Sequence, residues 1–233
     1  MTTIEGATAL VTGGSRGIGR ALVAALYERG AKKVYATARD PRTVTHPDAV
    51  PLALEVSDPA SVAAAAEQAQ DVTILINNAG AAVNASYLDA PVDDVRREFE
   101  TNFYGPLLVT RAFVPVVERN GGGHLLNVHS VLSWVALGGS YSASKAALWS
   151  QTNSLRLDLK PRGIEVTGLH VGYVDTDMTA GVDAPKSTPE SVAAQALDGI
   201  AANAPEVLAD ELTRQVKAGL SADLTALYPQ LAA

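Results

Sequence analysis

The stretch Ala7-Thr8-Ala9-Leu10-Val11-Thr12-Gly13-Gly14-Ser15-Arg16-Gly17-Ile18-Gly19 decides the fold. An apolar, strand-like run breaks at a cluster of glycines, and an amphipathic stretch over 18–29 begins at its end. Strand, tight turn and helix in that order open a βαβ unit. Glycine permits the turn and lets backbone approach a phosphate closely. The helix N-terminus adds free N–H groups and the positive end of its dipole. Gly13, Ser15, Arg16, Gly17, Ile18 and Gly19 are therefore expected to cradle a dinucleotide. Two other readings compete. Gly13-Gly14-Ser15-Arg16-Gly17 fits the Gly-x-Ser-x-Gly nucleophile elbow, which would make Ser15 a hydrolase nucleophile. That elbow normally follows several strands, and this one follows the first. A Walker loop needs Gly-Lys-Ser/Thr, and here Gly19 precedes Arg20.

Outward from this loop the alternation continues. Strands are expected over 7–11, 34–38, 50–56, 73–77, 124–128, 165–170 and 207–209, and helices over 18–29, 59–70, 92–119, 141–159 and 191–201. A helical tail covers about 211–228. Repeated βαβ units predict an α/β fold, a doubly wound Rossmann-type parallel sheet of about seven strands with both faces covered. No linker or repeat divides the 233 residues, so one dinucleotide-binding domain is expected over 1–233. Between the second and third strands lie only residues 39–50, with Pro41 and Pro47 among them. Any crossover helix there must be very short or absent.

The end of the second strand bears on cofactor choice. NAD enzymes place an acid there for the ribose diol. Here Ala38 holds the acid's slot, Arg39 follows it, and Arg16 lies in the glycine loop. Two guanidiniums can clamp a 2′-phosphate, which favours NADP; Asp40 keeps NAD as the alternative.

Tyr141 and Lys145 stand four residues apart, on one face of a helix. An ammonium beside a phenol favours the phenolate and lowers the phenol pKa, so the pair can move a proton to or from an alcohol oxygen.

Composition excludes other classes. The formal charge of −7 disfavours nucleic acid or an anionic membrane as a partner. Without cysteine there is no disulfide, thiolate metal site or cysteine nucleophile. His46, His124, His129 and His170 are not at metal-ligand spacing, and no metal is expected. The opening Met1-Thr2-Thr3-Ile4-Glu5-Gly6 has no basic or apolar signal region, and no apolar run is long enough to span a bilayer, so a cytoplasmic protein is expected.

Taken together, these segments resemble the short-chain dehydrogenase/reductase family, from about Gly6 to Met178. Gly13, Gly17 and Gly19 match its cofactor loop, and Asn77-Asn78-Ala79-Gly80 matches the segment that ends the fourth strand near the adenosine. Glu55 and Val56 fall where the family usually places Asp-Val against the adenine. Asn102 matches its structural and catalytic asparagine, and Tyr141 and Lys145 its catalytic pair, which also borders the nicotinamide ribose. The family's serine usually lies thirteen residues before the tyrosine, where this chain has Val128; Ser130 lies eleven before it. A two-residue deletion assigns Ser130, with Ser133 as the alternative. In His170-Val171-Gly172-Tyr173-Val174-Asp175-Thr176, Val171 replaces the usual proline, while Gly172, Val174 and Thr176 keep the pattern. The resemblance places the Val174 backbone on the nicotinamide carboxamide and Thr176 near the cofactor. The end of the chain lacks the family's Gly-rich pattern, which leaves a homo-oligomer, dimer or tetramer, open.

The resemblance implies hydride transfer between NADP(H) and a carbonyl or alcohol. Ser130 would bind the substrate oxygen, Tyr141 would move the proton, Lys145 would tune it, and Asn102 would hold a water leading to solvent. Substrate-binding segments are expected at about 81–91, 131–140 and 171–188. Their Val83, Tyr87, Leu132, Trp134, Leu137, Tyr173 and Met178 suggest a neutral, apolar ketone or aldehyde as the small-molecule substrate. The rival class is a nonenzymatic NADP-binding sensor or scaffold.

Overall fold

Among the described residues every strand joins one parallel sheet. The computed structural model describes residues 2–231. In chain order the elements are β1 (Thr8–Val11), α1 (Gly17–Glu28), β2 (Lys33–Ala38), β3 (Val50–Ala53), α2 (Pro59–Gln68), β4 (Ile74–Asn77), α3 (Val92–Phe99), α4 (Gly105–Arg119), β5 (Gly123–Val128), α5 (Gly139–Leu159), β6 (Ile164–His170), α6 (Pro189–Ala202), β7 (Glu206–Leu208), α7 (Glu211–Gly219) and α8 (Leu224–Leu227). The sheet has seven strands in the order β3-β2-β1-β4-β5-β6-β7, all pairs parallel. The order reverses between β1 and β4, and the carboxyl ends of strands at such a switch point form a ligand crevice.

Parallel strands covered on both faces should be apolar throughout, and β1 and β4 are buried at every position. Alternate residues feed two cores. Ala9, Val11, Val34 and Ile76 pack with Leu22 and Leu26 of α1 and Leu197 and Ile200 of α6. Leu10, Leu75 and Leu125 pack with Val62 of α2 and Val109 and Phe113 of α4.

The short link between β2 and β3 contains only a 3₁₀ turn, Pro41–Thr43, capped by Asp40, which accepts the Arg42 N–H at 3.0 Å. β3 stops at Ala53 rather than 56, because the Glu55 N–H is taken by the Ser61 hydroxyl at 2.9 Å. The helix expected over 92–119 is divided. Glu100–Tyr104 forms a wide π-helical turn between α3 and α4. Gly105 begins α4 against Val56, whose Cγ2 would lie 2.8 Å from a Cβ there. The tail is likewise two helices rather than one. Asp210 caps α7, accepting the Thr213 N–H at 2.8 Å, and also takes the Gly172 N–H at 2.6 Å. This second bond anchors the tail to the loop after β6. Among the described residues no helix is long and apolar enough to cross a membrane.

Candidate active site

The glycine loop is shaped by side chains from the strand next door. Thr12 Oγ1 accepts the N–H groups of Asn78 (2.9 Å) and Ala79 (3.0 Å). Asn78 Nδ2 donates back to the carbonyls of Thr12 (2.9 Å) and Gly13 (3.2 Å). A Cβ on Gly19 would lie 2.0 Å from the Gly13 carbonyl oxygen, so no other residue fits there. Gly17 has φ +51° and faces Thr176, whose Cγ2 is 3.1 Å from the place of a Cβ. Thus the loop after β6 closes on the loop after β1. Ser15 and Ile18 are half-buried beside it. Whereas Asp58, Thr188 and Asp210 cap α2, α6 and α7, α1 has no side-chain cap. Its first N–H groups, like those of α3 and α5, are not taken by a capping side chain.

Both arginines expected at the adenosine end are exposed. Arg16 (72% exposed) lies 3.7 Å from Asp177, and Arg39 (81% exposed) lies 4.0 Å from Glu55. Such surface pairs are weak and leave the guanidiniums available. Glu55 itself accepts the Ser57 N–H (3.2 Å) and hydroxyl (2.9 Å), and Val56 is buried beneath α4. Asp40 is differently placed: its carboxylate holds the Arg42 N–H, Nε (2.9 Å) and Nη2 (2.8 Å), which keep its pKa below the ordinary range. The structure therefore separates the two acidic and basic candidates, since Asp40 is already committed and Arg39 is not.

The remaining motif residues converge past the end of β5. Ser130 sits between two continuing ladder bonds, His129 N–H to Leu169 (2.7 Å) and Val131 N–H to Val171 (2.8 Å). Val171 thus holds the register although it stands where a proline is usual. Ser130 Oγ accepts the Leu132 N–H at 3.1 Å, and Ser133 Oγ accepts the Ser130 N–H at 3.3 Å. The two form a capping box on this turn, Ser130 at its N-cap and Ser133 at its third position. Lys145 is buried and its Nζ donates to the Val128 carbonyl at 2.9 Å. Gly80 fills the gap beside it: a Cβ there would lie 3.2 Å from Asn102 Oδ1 and 3.7 Å from Lys145 Nζ. The buried Asn102 amide bonds the Ala81 N–H (2.9 Å), the Ala81 carbonyl (2.8 Å) and Ser144 Oγ (3.0 Å). Both amide hydrogens are therefore engaged with protein. In the loop beyond β6, the Val174 carbonyl accepts the hydroxyls of Thr176 (3.3 Å) and Thr179.

Electrostatics depart from expectation at the pair. Burial pushes Tyr141 up to about 12; the Ser130 hydroxyl opposes this and the Glu98 charge adds to it. Lys145 does not lower it, because the ammonium is turned to Val128 and lies 5.8 Å from the Tyr141 ring centre. Burial lowers Lys145 itself to about 8.

A second buried cluster adjoins the first. His129 stacks on His170 (ring centres 4.7 Å apart), and Trp134 stacks on His170 (4.0 Å). Lys217 of α7 lies 4.9 Å from the Trp134 ring centre and pairs with Glu206 at 2.9 Å. Trp134 therefore separates from the other apolar pocket candidates. Val83, Tyr87, Leu137, Tyr173 and Met178 are exposed, and Leu132 is half-buried. Tyr228, which the sequence did not single out, accepts the Ala136 N–H at 2.9 Å and so reaches the 131–140 segment from the tail. A cavity of about 730 Å³ opens at the opposite end of the sheet among Gly6, Lys32, Asp71, Gly122 and Glu165. It contains none of the motif residues, so the chemistry of the side chains, not volume, marks the site.

Known proteins share this architecture. The family model for short chain dehydrogenases matches residues 7–187. The ketoacyl reductase HetN of Nostoc sp. is 32% identical over 232 residues, 91% of this chain and 81% of its own length. A short chain dehydrogenase from Burkholderia cenocepacia, solved in complex with NADP, superposes with a TM-score of 0.93 at 38% identity, covering 99% of both chains. The NADPH-bound carbonyl reductase from chicken fatty liver gives 0.78 at 29% identity, over 84% of this chain and 91% of its own. The chain belongs to the short chain dehydrogenase family.

Proposed function

We propose that this member of the short chain dehydrogenase family is an NADP-dependent oxidoreductase that reduces a neutral, apolar ketone or aldehyde. One observation supports the reading: in residues 102–145, drawn from three elements, Asn102 and the buried Lys145 flank Gly80, and the Ser130 hydroxyl bears on the Tyr141 phenol.

The residues fit the cofactor. The uncapped start of α1 and the Gly13–Gly19 cradle suit a diphosphate, and Arg16 and Arg39 suit a 2′-phosphate. When bound, the nicotinamide supplies the hydride. Ser130 would donate a hydrogen bond to the substrate oxygen. Tyr141, with its pKa raised, is fully protonated at neutral pH and would give that oxygen its proton. Lys145 would hold the nicotinamide ribose. Asn102 fixes the Ala81 backbone against α5 and so sets the wall behind the reacting groups. The exposed Val83, Leu137, Tyr173 and Met178 supply an apolar rim. The relatives agree in kind, one named a ketoacyl reductase and another a carbonyl reductase with NADPH bound.

The test is loss of NADPH absorbance with a panel of ketones and aldehydes, repeated with NADH. NADPH should be the more efficient by about ten- to a hundredfold, the worth of a charge-assisted hydrogen bond. Ala38→Asp with Arg39→Leu should shift the preference towards NADH, because an acid accepts from a free diol and repels a phosphate. Equal or better efficiency with NADH in the wild type overturns the NADP assignment. Cofactor binding without turnover on any carbonyl overturns the enzymatic one.

A further inference from the structure

Glu98 is a carboxylate with no surface exposure, set in a run of charged residues, yet no cation holds it. The neighbouring Arg96 and Arg97 pair with Asp93 and Asp94 instead, each at 2.9 Å. A buried carboxylate must be satisfied by hydrogen bonds. Glu98 is: Oε1 accepts the N–H groups of Val83 (2.5 Å) and Asn84 (2.9 Å), and Oε2 accepts the Ser140 hydroxyl. Val83 and Asn84 belong to the loop after β4, and Ser140 immediately precedes Tyr141 on α5. Other bonds follow the same seam. The Ser140 N–H donates to Ala85 at 3.1 Å, and the Tyr87 hydroxyl donates to the Gly139 carbonyl at 3.1 Å. Gly139 (φ +54°) admits no side chain, since a Cβ would lie 2.4 Å from the Ala85 carbonyl oxygen.

We propose that Glu98 is a positioning residue: it ties the substrate loop to the start of the helix that carries Tyr141, and places a fixed negative charge beside that tyrosine. This rests on the reading of Tyr141 as the proton donor. A like charge makes the phenolate harder to form. Glu98 thus adds to burial in holding Tyr141 above its ordinary value, while the same carboxylate ties the loop to α5. The elements bonded to it carry other groups, Lys145 on α5 and Tyr87 and Asp89 in the loop, and His129 past β5 lies near Lys145. Lys145 opposes Glu98 in sign. His129 is neutral through burial, with His170 and Lys145 adding to the effect.

Glu98→Gln separates charge from geometry. The amide oxygen still accepts from the loop, and the amide nitrogen can donate to Ser140. In ¹³C-tyrosine NMR, the Tyr141 resonance (identified by its loss in Tyr141→Phe) should titrate about one pH unit lower in Glu98→Gln. The loop should stay resistant to limited proteolysis and KM should remain within about twofold. Glu98→Ala should make the 81–91 segment cleavable and raise KM by about fivefold or more through the lost charge-assisted bonds. An unmoved Tyr141 titration in Glu98→Gln, or a protected loop and unchanged KM in Glu98→Ala, overturns the proposal. Titration and proteolysis need no turnover, so they read Glu98 even where the carbonyl panel fails.

Discussion

Two polar clusters meet at the end of β5 and are built on opposite principles. In the one with Ser130, Lys145 and Asn102, named hydrogen bonds fix each side chain. In the one with His129, His170 and Trp134, rings stack; among the described residues neither His129 nor the indole nitrogen has a hydrogen-bond partner, and His170 Nε2 lies 3.6 Å from Glu206 Oε1. Burial lowers both histidines, and at His170 the Glu206 carboxylate acts against it without reversing the direction. The first cluster can pass a proton; the second is rigid packing that stabilises only while uncharged. Position near a reactive serine therefore does not make a histidine catalytic.

Substitutions should divide along that line, and Tyr141→Phe draws it most sharply. It should lower turnover by about 100- to 10,000-fold while NADPH still binds, as read by fluorescence titration. Retention of more than about a third of turnover, with chemistry rate-limiting, would dissolve the distinction between the clusters. Ser130→Ala should follow with a loss of about a hundredfold, whereas Ser133→Ala should cost about 1 kcal/mol of stability and little turnover. The reverse ranking would move the substrate oxygen to Ser133.

The stacked cluster should fail differently, through pH. The folded pKa of His129 and His170 lies below the unfolded value of about 6.5, and His124, bonded to Thr2 and Thr167, is lowered by burial to about 4. Below about pH 6.5 the unfolded chain binds protons that the folded chain refuses, so stability is intact above that pH and falls as pH drops towards the folded values. Each histidine contributes up to about 1.4 kcal/mol per pH unit. The urea midpoint should therefore drop between pH about 7 and about 5, and His170→Phe should reduce the drop while keeping a ring in the stack. An equal drop in that variant would show that His170 takes no part. Lys217→Met, which removes the cation over Trp134, should cost the least, about 0.5–1 kcal/mol at pH about 7, with turnover retained. A large fall in turnover there would mean that the tail acts on the chemistry.

Much of this was readable in advance because it is local. The glycine loop, the alternation of strands and helices, the short β2–β3 link and the Tyr141–Lys145 spacing each lie within a few residues of sequence. What escaped depends on partners far along the chain. Glu98 hides in Val92-Asp93-Asp94-Val95-Arg96-Arg97-Glu98, which reads as a solvated face until the 81–91 loop folds over it. Trp134 reads as a pocket residue from its neighbours in sequence, but His170 and Lys217 claim its ring. Tyr228 gave no signal, since only the fold brings it to Ala136. The rise of Tyr141 was missed because spacing reports that an ammonium is near, not that it points to Val128.

The wide turn at Glu100–Tyr104 lets one rod keep two angular phases. Each helical residue advances about 100° around the axis. α3 can thus aim Glu98 at one loop while α4 keeps Val109 and Phe113 against the sheet. Deleting a single residue from this turn would yield a smoother, better hydrogen-bonded helix. It would also rotate one half against the other by about 100°, so that either Glu98 and Asn102 or the apolar stripe of α4 must face the wrong way. Here regularity and correct aim exclude each other, and the irregular turn is what the site requires.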